Sequence, residues 1–155
     1  MATGFSLNTL RSNFQREWFR SFATGMGTGQ GRAQRLCLGD LLVLAIARQL
    51  ITTGSHPIRA FNAAYSFGVV AKTPAGMPRR LPFELFDRNE YDTLFVWIPD
   101  TLADVVPAPK HGCVQLEVLG LSPDREEATV CLLLNAIEAG VLKRVGLSPS
   151  ELFHG

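Results

Sequence analysis

Asn8, Thr9, Arg11, Ser12, Gln15 and Arg16 crowd together near the start of the chain. They are short hydrogen-bonding groups and guanidinium forks, the side chains that bond base edges and phosphate oxygens. Glu17 is the lone acid among them, so little opposes an anionic partner. A second basic group, Arg32 and Arg35 with Gln34, follows a run in which Gly25, Gly27, Gly29 and Gly31 alternate with small or polar residues. The run reads as a flexible hairpin tip with a basic rim over 23–35. Its glycine spacing does not fit the dinucleotide fingerprint and no Gly-Lys-Ser/Thr comes after it, which excludes a nucleotide cradle. A mobile wing along a phosphate backbone suits it better.

The elements that must position these groups can be read from spacing. Behind Ser6, a good N-cap, Leu7, Leu10, Phe14 and Trp18 recur at helical intervals and predict an amphipathic helix over 7–19. Its opposite face carries Thr9, Ser12, Asn13 and Arg16, with Asn8, Arg11 and Gln15 on the flanks. Leu41, Leu42, Leu44, Ala45, Ile46, Leu50 and Ile51 predict a core helix over 39–53, stopped by Gly54. Pro57 opens another, with Ile58, Phe61, Ala64 and Tyr65 inward and His56 on the surface. Pro74, Gly76, Pro78 and Pro82, with Arg79 and Arg80, forbid a long helix and mark a linker over 71–81. Beyond it, 93–98 and 113–119 read as strands, and Ser122-Pro123 begins a helix running to about 139.

Charge divides the chain in the same way. Residues 1–60 hold seven arginines against Glu17 and Asp40, net +5, and the rest holds eight bases against twelve acids, net −4. Such an asymmetry predicts a segment that faces a polyanion. With 46% hydrophobic and 19% charged residues the chain is globular rather than disordered. Cys37, Cys113 and Cys131 are odd in number and far apart. They predict reduced, buried thiols in a cytoplasmic protein without disulfides. The longest apolar stretch, 41–47, ends at Arg48, far short of a membrane span.

Catalytic chemistry finds no constellation. His111 and Cys113 lack a second Cys/His pair at zinc spacing, and no base is placed to activate the thiol. Asp87, Glu90 and Asp92 read as a solvated acidic turn. No enzyme activity, cofactor or metal is expected.

Thr9-Leu10-Arg11 followed by Phe14-Gln15-Arg16 and Phe19 resembles the recognition helix of the MerR-type winged helix-turn-helix regulators, and 23–35 resembles their wing. Arg35-Leu36-Cys37 with Asp40-Leu41 is similar to the family's entry into its next helix, and Leu44, Leu50, Gly54, Ile58 and Ala60 continue the pattern. The likeness covers residues 4–67 and is closest to divergent bacterial and phage regulators. It implies a recognition helix in the major groove and a wing on the flanking backbone, with Asn8, Thr9, Arg11, Ser12, Gln15, Arg16, Arg32 and Arg35 contacting DNA. Gly4-Phe5-Ser6 resembles the turn inside the helix-turn-helix, so the helix before it is expected to be absent. Cys37 stands where the family has a serine or threonine cap, and the linker and the α/β residues beyond it replace the family's long coiled coil.

The expected fold class is therefore α+β: a winged helix-turn-helix-like helical module over 1–70, a linker over 71–81, and a small α/β cap over 82–155 for dimerisation or for binding an effector or partner. The expected function is sequence-specific transcriptional regulation by a homodimer on duplex DNA, with RNA polymerase or another regulator as a further partner and no membrane role. The alternative is a protein-interaction module, a regulator or inhibitor of another protein, that retains a helix-turn-helix remnant.

Overall fold

The computed structural model describes residues 3–6, 8–10, 12, 36–69, 78–99, 103–112 and 128–147. Helix α1 (Leu38–Thr52) starts at a capping box in which a thiol replaces the usual hydroxyl. Cys37 Sγ accepts from the Asp40 backbone N–H at 3.5 Å, and Asp40 Oδ2 accepts from the Cys37 N–H at 2.9 Å. Asp40 thus satisfies an end donor and places its charge at the positive end of the helix dipole. The far end closes as the glycine predicted: Thr53 N–H donates to Gln49 O, and Gly54, at φ +96°, donates to Ile51 O. Helix α2 (Pro57–Val69) is next, with Ala60 N–H bonded to the carbonyl of exposed His56. Leu42, Ile46 and Leu50 of α1 and Ala60, Phe61, Ala64 and Phe67 of α2 are buried in one apolar cluster.

The second half of the chain supplies an antiparallel sheet of order β2-β1-β3: β1 (Tyr91–Trp97), β2 (Asp104–Pro109) and β3 (Val130–Leu133). At its centre Phe95 faces Val105 on one neighbour and Leu132 on the other. The molecule is α+β, as expected, and β1 lies close to the strand predicted over 93–98. Strand β2 was not foreseen, since it contains Pro107 and Pro109. It lies beside β1 alone among the described strands, where a missing N–H is tolerated. The strand expected over 113–119 lies outside the described residues.

The helix expected from Ser122 to about 139 is corrected by the structure. Val130–Leu133 is strand β3, and helix α3 (Leu134–Val145) begins at the very next residue. β-branched Val130 and its neighbours pair with Leu94 to Trp97, and ladder bonds there outweigh the helical spacing of the apolar residues. Asn135 Oδ1 then accepts from the Thr93 N–H at 2.6 Å, so a side chain on α3 continues the ladder where the strand stops. Gly146, at φ +76°, ends the helix, with Lys143 and Arg144 in its last turn. Leu134 and Val141 of α3 and Phe95 and Trp97 of β1 join the cluster formed by α1 and α2.

The thiols are also corrected. Cys37 and Cys131 are exposed, the first because a cap position lies outside its helix, the second because it alternates outward along β3; Cys113 lies outside the described residues. Only part of the 71–81 linker lies within the described residues, and that part returns to α2. Arg80 is buried, and its Nη1 donates to the carbonyls of Phe67 (3.0 Å), Leu81 (3.1 Å) and Glu84 (3.0 Å). Its guanidinium also lies 5.1 Å from the centroid of the Phe67 ring. Burial lowers its pKa and the Glu84 carboxylate raises it part of the way back. Phe83, in the left-handed region at φ +64°, donates its N–H to Phe67 O and packs edge-on against the Phe67 ring. The Phe83 ring sits against Gly39 of α1 and Gly68 of α2: a Cβ at Gly39 would come within 2.8 Å of it, and one at Gly68 within 2.2 Å. These two glycines leave the space that the ring fills.

Candidate nucleic-acid interface

Ser6 caps a helical segment as its type and place predict. Its Oγ accepts from the Thr9 N–H at 3.1 Å and bonds the Thr9 hydroxyl at 2.8 Å, while Leu10 N–H reaches Ser6 O at 3.0 Å. Residues 8–10 and 12 are helical. Asn8 and Thr9 are exposed and Ser12 is half-buried, so three of the predicted contacts share one short segment. Arg11, Gln15, Arg16, Arg32 and Arg35, like the rest of the 7–19 helix and the 23–35 wing, lie outside the described residues.

This segment is anchored from behind. Phe5, 7% exposed, stacks on Phe61 of α2 with ring centroids 5.9 Å apart, and Leu10 packs against the same core. Burying one such ring stabilises the attachment by about 1.5–3 kcal/mol. The Arg48 guanidinium lies 5.8 Å from the Phe5 ring centroid and donates to Thr52 Oγ1 at 2.7 Å.

Two arginine side chains from distant parts of the chain pass close to Gly4. A Cβ built there would lie 3.6 Å from Arg48 Cγ and 3.9 Å from Arg144 Nη1. Arg48 belongs to α1 and exposed Arg144 to the last turn of α3, so a basic shelf flanks the capped segment. Neither residue was singled out as a contact from the sequence. Arg48 carried only its share of the N-terminal charge, and no local pattern joins Arg144 to residue 4. Behind the shelf, Thr3, Gln49 and Arg144 line a small cavity of about 190 Å³, and the buried Thr3 Oγ1 has no hydrogen-bond partner among the described residues.

Asp87 and Glu90 stand exposed at a tight turn, whereas Asp92, expected in the same turn, is a half-buried residue of β1 paired with Ala108. Asp87 Oδ1 accepts from Asn89 N–H at 2.9 Å, and Asp87 O accepts from Tyr91 N–H at 2.8 Å. Among the described residues no three His, Cys, Asp or Glu side chains group to hold a metal ion, and no helix is long and apolar enough to cross a membrane. Neither a protein-family model nor any curated protein matches this chain.

Proposed function

We propose that the chain is a sequence-specific DNA-binding transcriptional regulator of the MerR-like winged helix-turn-helix kind, acting in the cytoplasm as a homodimer on paired half-sites. The observation that carries this reading is the Ser6-capped segment, which presents Asn8 and Thr9 outward while Phe5 and Leu10 hold its back to the core. The basic shelf of Arg48 and Arg144 beside it, and the +5 charge of residues 1–60, favour a phosphate backbone as the facing surface. In this reading the 7–19 helix enters the major groove, the 23–35 wing tracks the flanking backbone, and α1 and α2 form the scaffold behind them.

The test is a binding titration of the full chain against DNA from its own promoter region, with salt varied. If Arg11, Arg16, Arg32 and Arg35 each neutralise a phosphate, log affinity falls against log salt with a slope of about −3.6 per protomer. Arg32→Ala with Arg35→Ala flattens that slope to about −1.8. An unchanged slope removes the wing from the interface. No salt-dependent binding to any fragment of that region favours a module that docks on another protein.

A further inference from the structure

A cavity of about 640 Å³ opens between the 83–89 segment and α3. Leu38, Phe83, Leu85 and Phe86 give it apolar walls. Its charged lining is unbalanced: Glu84, Asp87 and Glu138 are carboxylates, and Arg88 is the one cation among the lining residues. Arg88 is itself committed, its Nη2 paired with Glu138 Oε2. Glu138 is only 5% exposed, so its charge sits where water screens it least. The volume falls in the range of small-molecule sites, which are mostly apolar with a few placed polar groups.

We propose that this cavity binds a small organic cation, a protonated amine or amidine carried on an apolar body, with its nitrogen directed to Glu138. The carboxylate excess selects the sign of the ligand charge. Half-buried Leu38, Phe83 and Leu85 offer apolar surface to its body, and a carboxylate accepts at both oxygens, so Glu138 can bond a ligand N–H while Arg88 holds Oε2. Its position gives such a ligand leverage. Leu38 is the first residue of α1, next to the Cys37 cap, and Phe83 is wedged against Gly39 and Gly68. A molecule seated here presses on the end of α1 that adjoins the basic 23–35 segment in the chain. The regulatory consequence rests on the DNA-binding reading; the binding itself does not.

Calorimetric titration of the full chain with phenethylammonium, and in parallel with neutral 2-phenylethanol and anionic phenylacetate, tests the site. Saturable binding of phenethylammonium is expected, about tenfold or more tighter than phenylacetate. Glu138→Gln weakens it by about tenfold, and the exposed rim variant Glu84→Gln by about two- to fivefold, a second readout should Glu138→Gln fold poorly. Equal affinity for all three probes, no binding of phenethylammonium, or an affinity unmoved in both variants overturns the proposal. Fluorescence anisotropy with promoter DNA, with and without phenethylammonium, separates the two readings. Probe binding without any DNA affinity sinks the DNA reading and leaves the cavity standing; intact DNA affinity without probe binding sinks the cavity alone.

Discussion

Glu138 shows how one residue can carry two opposed effects. Burial raises its pKa above the ordinary value of 4.5, and the charge and hydrogen bond of Arg88 lower it only part of the way back. A carboxyl whose folded pKa is raised contributes stability that is fully present below the ordinary value and is lost as pH rises through the raised one. Glu138→Gln removes that dependence. In thermal melts of both proteins from neutral pH down to about 4.5, the wild type should therefore gain on the variant as pH falls. A difference that stays flat would mean that Arg88 cancels the effect of burial, and one that reverses that it outweighs it. Cys37 makes a related point, because a weak thiol acceptor stands where a hydroxyl would serve, and Asp40 supplies the stronger half of the box.

At the scale of elements, the seating of Phe83 on α1 and α2 depends on two positions without side chains, Gly39 and Gly68. Gly68→Ala places a Cβ 2.2 Å from the Phe83 ring, and the overpacking should cost about 1–3 kcal/mol despite alanine's better helix propensity. Gly140→Ala, in α3 where among the described residues a Cβ would meet no atom of another element within 4 Å, should instead stabilise by about 0.5–1 kcal/mol. Opposite shifts of the urea midpoint at constant m-value would bear this out; shifts of one sign would not. Both α1 and α2 were legible in the sequence because apolar spacing, Gly54 and Pro57 agree with one another there, although Ile58, expected to face inward in the first turn of α2, is 43% exposed. Strand β1 was legible from its aromatic and β-branched run. Strand β2 was hidden by its prolines, which mark a loop unless the strand lies at an edge, and edges are decided by tertiary order. The start of α3 was hidden because Val130 to Leu134 is an unbroken apolar run, and such a run fits strand and helix alike.

Across the whole molecule, the candidate interface gathers residues that no local pattern connects. The Ser6 cap and the outward Thr9 were readable from neighbours three apart. Arg144, almost the full length of the chain away, reaches Gly4 only because α3 packs on α1 and joins its core. If DNA also lies across this shelf, Arg144 adds a contact to those of Arg11, Arg16, Arg32 and Arg35 and steepens the salt slope to about −4.5, and Arg144→Ala should weaken binding without changing sequence preference and make the slope shallower by about 0.9. A salt slope equal to the wild type's would place Arg144 off the footprint. The abrupt passage from Leu133 to Leu134 bears on how such a molecule tolerates change over generations. A strand that becomes a helix with no intervening residue has no slack: one inserted residue turns everything after it by about 100° and advances it by about 1.5 Å. Asn135 would then miss Thr93, and Glu138 would swing away from Arg88. Descendants of this sequence can exchange the exposed side chains of α3, but the length at this junction is fixed by the contacts on both sides of it.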